Sequence, residues 1–522
     1  MTLALVFLII YTAALTAFGV WVGRRVTGAA DFFVAGRRLS WPLIASTVLA
    51  ANIGAGTTVG AAGLAYRDGL GALWWNGAVG IGTLVLALWV GPKLWQLASD
   101  RGHFTVGDFL EERYGGAVRG LVGLLIAVGA LALLAGQLIA GAAVLEVVGG
   151  LPRWQGIVIG GMAMTVYFTA GGLLSSAWVN ALQLVVLLGG FLVAAPLILM
   201  KVGGLQSIAA APGIPSTYWD PMYSAGVSSG WTLLILLTPG FIISPGLVQK
   251  AYGAIDARSV RIGLGVAAGA QMLFSFLPVV LGMAARVNHP DIASANVVLP
   301  TVLLAELPVA IGALSLAAIF TAEVSTCDAI LFMVATSSSR DLYQRFINPK
   351  ATSAQMLFVA RVAALIGGVL GMLLATQLAT IIDAMKIFYS LLSATLFVPM
   401  VGALWSTRAG AREAMAAIVC GVTALLAVQF GTDRTGWWDP SLWGLMASAV
   451  GYAGMLMTSR ASRAAWHSWR NPQFRSVERC SIVVTRRPAQ QRGRILLHRA
   501  AEGRVAIHHD GDRLREINRI RR

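Results

Sequence analysis

Apolar runs of about twenty residues recur along most of this sequence, and a run placed in lipid must satisfy its own backbone as a helix, because a bilayer offers no partner for a free N–H or C=O. The runs occupy residues 2–22, 42–66, 72–91, 118–145, 156–170, 177–200, 231–248, 262–285, 308–336, 356–378, 381–405, 414–430 and 442–457. They make about thirteen spans, joined by loops too short for a soluble domain before residue 460. Only 12% of the 522 residues are charged, where a soluble chain carries about 25%. The expectation is an all-α polytopic membrane protein. A formal charge of +16 raises the idea of a nucleic-acid partner, but the Lys and Arg lie between apolar runs and in the last stretch of the chain, so membrane lipid is the expected partner. Three cysteines, Cys327, Cys420 and Cys480, fall in two spans and the basic tail and form no disulfide framework.

Loop charge sets orientation. The first run has no basic residue before it and Arg24 and Arg25 after it, the reverse of a signal peptide. Alternating the loops from an outside N-terminus puts Arg24, Arg25, Arg37, Arg38, Lys93, Arg101, Arg113, Arg119, Lys250, Arg258, Arg261, Arg340, Arg345, Lys350, Arg408 and Arg412 inside. Outside fall Arg67, Arg153, Lys201, Arg286 and Arg434. This asymmetry predicts an odd number of spans in a cell (inner) membrane, with the C-terminus cytoplasmic.

Two spans are interrupted. NIGAGTTVG lies inside 42–66 and TPGFIISPG inside 231–249, and unwound backbone at that depth is tolerated only where it lines a protein cavity. Broken helices at corresponding positions, five spans apart, point to an inverted repeat with its site at the midplane; a pair of kinked packing helices is the alternative. A third anomaly is TAEVSTCDA, where Glu323, Ser325, Thr326 and Asp328 stand among apolar residues. Helical spacing puts Ala322, Ser325 and Thr326 on one face, with Glu323 toward Thr326 and Cys327. Hydroxyls beside a free carbonyl suit a small hard cation, while bonding back to the preceding turn is the structural alternative. Beyond residue 460 the chain turns basic and polar, with short alternating runs at 482–485 and 494–498 that could pair as strands; His508, His509 and Asp510 lack further ligands for a metal.

Several segments together resemble the sodium:solute symporter family, which includes bacterial proline and sodium/galactose transporters. They are DFFVAGRRLSW, FTVGDFLEERYG (Phe104 to Gly115), YFTAGGLLSSAWVNALQ (Tyr167 to Gln183), SPGLVQKAYGAIDARSVRIG (Ser244 to Gly263), and TAEVSTCDA with SSSRDLY (Thr321 to Tyr343). The resemblance implies the leucine-transporter fold: two five-helix inverted repeats with broken first helices. The organisation expected is a peripheral helix at 1–23, a cytoplasmic linker at 24–40, a first repeat with its outer loop at 41–227, a second at 228–406, two peripheral helices at 407–459 and a basic cytosolic tail at 460–522.

What the resemblance further implies is one sodium held by the carbonyls of Ala50, Ile53 and Ala322 and the hydroxyls of Ser325 and Thr326. Asn52, Thr57, Trp75, Asn76 and Ser244 become substrate candidates, and Glu323, Asp328 and Asn180 candidates for coupling or gating. Many members of the family carry an acid where Asn180 stands, and its sugar transporters a Glu where Asn76 stands and a Tyr near Gly246, so a sugar is disfavoured. The function expected is sodium-coupled symport of a small polar or organic solute by alternating access, not an enzymatic activity. A proton-coupled symporter is the nearest rival, since Glu323 is an acid beside the ion site; a transporter-like sensor would need a larger module after residue 460. Substrate identity and oligomeric state are not written in any motif.

Overall fold

The computed structural model describes residues 3–23, 34–170, 173–222, 230–406, 408–432 and 438–458, with three short strands in the tail. It divides into two units, Met1–Ser459 and Arg460–Arg522. The described part of the second is an antiparallel meander of β1 (Leu496–Arg499), β2 (Val505–His508) and β3 (Arg515–Glu516), with Leu496 opposite His508 and Ile507 opposite Arg515. It includes most of the strand expected at 494–498; that expected at 482–485 lies outside the described residues, as do Arg24, Arg25, His509 and Asp510.

Among its described residues the first unit is built of helices joined by turns and loops, and its one β-contact is a bridge between Leu39 and Ala254. After α1 (Leu3–Gly23) come α2 (Trp41–Asn52) and α3 (Ala61–Asp68), the halves of the first broken helix. A turn at Gly69, whose φ of 76° favours glycine, leads to α4 (Leu73–Val85), continuing through a π-turn into α5 (Gly91–Arg101). The short α6 (Val106–Tyr114) precedes α7 (Gly116–Gly149), α8 (Arg153–Ala170) and α9 (Leu173–Val202). The second set follows the connecting α10 (Gly204–Ala210) in the same order. Its broken helix is α11 (Gly230–Ile242) and α12 (Pro245–Tyr252), and its next member is α13 (Ala257–Phe274) with α14 (Phe276–Asn288). A short α15 (Val298–Glu306) again comes before the third member, α16 (Val309–Thr336), which runs on as a π-helix to Ile347. Then come α17 (Ser353–Gln377) and α18 (Ile381–Leu392), the latter leading into α19 (Val398–Trp405). Outside both sets lie α20 (Ala411–Gly431) and α21 (Pro440–Thr458).

Nine helical stretches among the described residues are long and apolar enough to cross a membrane. The expected thirteen differ from this partly because α2 is cut short at Asn52 and because residues 56–101 form one helical stretch across the Gly69 turn. The run at 262–285 is also divided, at Ser275, whose hydroxyl turns back to the Met272 carbonyl.

Helix α16, which carries the polar stretch, is the most enclosed of these spans and packs against α1, α2, α7 and α9. Its far end is tied down by charge. Arg119 reaches Asp108 at 2.8 Å, Glu111 at 2.6 Å and Asp341 at 2.9 Å, and Thr105, which caps α6, donates its hydroxyl to Asp341. Arg119 and Lys250, counted as loop cations in the sequence, are thus buried inside helices, because each has partners there that a loop residue would find in water. Burial raises the Asp108 carboxyl, but Arg340, Arg119 and the N–H groups of Phe104 and Thr105 outweigh it and hold it below the usual range. His103 is pushed down to about 4 by burial and by Arg101, Arg37 and Arg119. Its Nε2 sits 2.9 Å from Glu112, yet Arg101 shares that carboxylate, so the ring donates there while neutral.

Candidate ion and substrate site

Helix α2 stops at Asn52 because Ile53 takes φ −91° and ψ 84°, outside the helical region. Two side chains take over the freed backbone groups. The Thr57 hydroxyl accepts from Gly54 N–H at 2.9 Å and lies 3.0 Å from the carbonyls of both Asn52 and Gly54. From α7, Gln137 Oε1 accepts the Ala55 N–H at 2.9 Å. Gly54 has no room for a side chain: a Cβ there would sit 2.3 Å from Thr326 Oγ1 and 2.8 Å from Gln137 Oε1. The glycine is what lets α16 approach the break.

On α16, the Thr326 hydroxyl lies 3.0 Å from the Ala322 carbonyl and 3.4 Å from the Ala50 carbonyl. Ser325 donates to Asn180 Oδ1 at 2.6 Å, and Asn180 Nδ2 donates to Thr47 Oγ1 at 3.2 Å. Ala50, Ala322 and Thr326 are thereby brought together at the break beside which Ile53 stands, and Ser325 is held through Asn180. Thr321, by contrast, only bonds back to Ala317 and Ala318. Glu323 is fully buried and both its oxygens lack a hydrogen-bond partner among the described residues; it faces Gly141 of α7. Asp328 is buried two residues beyond Thr326 on the same helix.

Among the substrate candidates, Asn76 donates to the Thr57 carbonyl at 2.9 Å and Asn52 to Thr83 at 3.3 Å. The indole nitrogen of Trp75 lies 3.1 Å from where a Cβ on Gly56 would stand, beside Met385. Asn52, Thr57, Trp75 and Asn76 thus line the first break, whereas Ser244 opens α12 at the second and makes no cap bond. Gln137 and Lys250 escaped the sequence reading. Gln137 is detectable as a lone amide in a long apolar helix, the criterion that exposed Ser325; Lys250 stands at the end of a run and reads as a loop charge.

The model of the sodium:solute symporter family matches residues 32–421. The chain belongs to that family. It is 26% identical over 486 residues to the sodium/glucose cotransporter of Vibrio parahaemolyticus, covering 84% of this chain and 88% of the relative. It is also 26% identical to human sodium/glucose cotransporter 4, over 68% of this chain, and spans 57% of that longer protein. A solved Na+-coupled sialic acid symporter in a substrate-bound outward-open state superposes with a TM-score of 0.74 at 20% identity, over 88% of this chain and 98% of the other. The fold is therefore that of the leucine-transporter type, with two inverted five-helix repeats. This is a multi-pass membrane transporter coupling a small solute to sodium by alternating access, and the family does not favour a proton in sodium's place.

Proposed function

We propose that sodium binds between the first break and α16 through the carbonyls of Ala50, Ile53 and Ala322 and the hydroxyls of Ser325 and Thr326, and that this binding draws in a small polar or organic solute. The observation that carries the reading is the Thr326 hydroxyl, within 3.4 Å of carbonyls from two different helices at a point that only a glycine leaves open. Neutral oxygens are the ligands a small hard cation accepts, and they release it more readily than a carboxylate would. Asn52, Thr57, Trp75, Asn76 and Ser244 are the substrate contacts in this reading, and Glu323 tunes the site without carrying a coupling proton. A tenfold sodium gradient and 100 mV together support roughly 500-fold accumulation of a neutral solute per sodium.

The repeats extend over 41–227 and 228–406, flanked by the first helix, two peripheral helices and the tail. Loop charge supports an N-terminus outside, a cytoplasmic C-terminus and residence in the cell (inner) membrane among lipids; an impermeant reagent that reached a cysteine at Arg345 from outside intact cells would reverse this orientation. The ligand set is tested by sodium titrations of Thr326→Ala, Thr326→Ser and Ser325→Ala at equal expression. Both Ala variants should need about tenfold more sodium, an expected ~1.4 kcal/mol, and Thr326→Ser should behave like the parent. An unchanged sodium response in both Ala variants sinks the assignment and leaves the back-bonding alternative.

A further inference from the structure

The chain takes an unusual course just before α2. Ala35, Gly36 and Arg37 all have left-handed backbone, with φ of 48°, 58° and 56°. That region suits glycine and is costly for alanine and arginine, so the last two are kept there only by what surrounds them. The turn carries Arg37 to α5, where its Nη2 donates to the carbonyls of Ala98, in the last turn, at 2.8 Å and of His103, just beyond it, at 2.9 Å. Leu39 is 1% exposed and pairs with the residues that follow α12. Its N–H donates to the Gly253 carbonyl at 2.9 Å, and its own carbonyl accepts from Ile255 at 3.1 Å. Trp95 of α5 closes the triangle by donating its indole N–H to the Ala254 carbonyl at 2.9 Å.

These contacts join α2, the first half of one broken helix, to α12, the second half of the other, and both to α5. Further along, Lys250 of α12 donates to the carbonyl and hydroxyl of Thr47 on α2 at 3.0 and 2.9 Å. Close packing adds to the bonds. A Cβ on Gly253 would lie 3.0 Å from Leu39 Cδ1, and one on Gly263 of α13 would lie 2.7 Å from Ile44 and 2.9 Å from the Trp41 carbonyl. The Arg119 knot is a separate set of ties. It begins along the chain at Thr105, two residues after His103, and Gly102 just before them has a φ of 72° and open space around it. Across residues 102–104 the ion pairs are those of Glu112, whose side chain is 33% exposed, to Arg101 and His103.

Alternating access requires the broken helices to move against their neighbours, and the line of division falls where the fewest strong contacts must part. We propose that residues 35–39 are a clip that fastens the start of α2 to α5 and to the end of α12, so that these elements move as one block against the knotted ends of α6, α7 and α16, and α2 does not swing by itself. The left-handed turn is the device. Within three residues it presents a side chain to α5 and a strand-like backbone to the end of α12. Parting these contacts would strand buried N–H and C=O groups, so they hold while the block moves. This reading needs alternating access and does not depend on which oxygens hold sodium.

Distances between spin labels distinguish one block from a swinging helix. The purified full-length chain is placed in liposomes with Cys327, Cys420 and Cys480 replaced by alanine. One labelled pair, Arg38→Cys with Ile255→Cys, reports α2 against the end of α12; the other, Arg38→Cys with Ile347→Cys, reports α2 against the end of the π-helix that follows α16. All three side chains are exposed, and Ile255 serves the clip through its backbone. Sodium is compared with choline, with no solute added. The first distance should be single and equal in both media, and the second should shift. A first distance that shifts with sodium, or a second that does not, overturns the clip. Arg37→Met should widen the first distribution and make it respond to sodium. Should that variant fail to fold, Trp95→Phe, which removes only the indole donor to Ala254, must widen the same distribution. A distribution as narrow as the parent's, in whichever of the two folds, is equally fatal.

Discussion

Helix α16 and its π-helical extension carry two polar regions of different character, about two turns apart: TAEVSTCDA against the first break, and SSSRD at the π-helical end. In the first, the groups gathered around Thr326 are hydroxyls, carbonyls and the amides of Asn180 and Gln137, none of them carrying formal charge. In the second, Arg119 binds three carboxylates with Asp341 at their centre. The difference separates a place that must take up and release a cation from a place that must not move. Neutral oxygens compensate an ion only while it is present; a guanidinium and carboxylates compensate each other at all times, and separating them exposes bare charge.

The comparison breaks most visibly at Arg119. Arg119→Met leaves Asp108, Glu111 and Asp341 facing one another, and the expected loss is about 3–5 kcal/mol, read as a large fall in the thermal midpoint or in folded yield in detergent. A change comparable to that of Thr326→Ala would mean that the knot does not lock the end of α16. Gln137→Leu probes the neutral region. It strands the Ala55 N–H and should cost about 1–3 kcal/mol while also weakening sodium binding, since the break would no longer be held open in one geometry. A melt shifted without any change in sodium titration would limit Gln137 to stability.

The smallest effect expected is that of pH, and it should be confined to the charged region. His103 stays neutral down to about 4, whereas an unfolded histidine takes up a proton near 6.5. Between those values the unfolded chain binds more protons, so stability rises with pH across the window and is lost as pH falls from about 6.5 toward 4. A melting series of His103→Gln against the parent should be flatter over that range by about 1–2 kcal/mol. Parallel curves would show that burial and the nearby arginines do not keep His103 neutral.

Much of the architecture is legible along the chain because the properties that encode it are local. Hydropathy marks spans, and Gly54 and Pro245 stand beside the points where the two broken helices lose their ladder, whereas Pro239 lies within α11. Ser325 and Thr326 stand out for the same reason, as polar groups in an apolar run. Pairing across helices is not local. Whether Thr326 merely bonds back to Ala322 or also reaches Ala50 depends on how closely α16 meets the break, and Gly54 sets that distance only once both helices are packed. Asn180 reads as a missing acid until it is seen holding Ser325 and Thr47. Gln137 and Lys250 bear identical side chains whether they face lipid headgroups, water or a neighbouring helix. Only the packing of α7 on the break, and of α12 on α2 and α16, removed them from solvent and chose their partners, because burial and a partner's position belong to the assembled bundle and to no single segment.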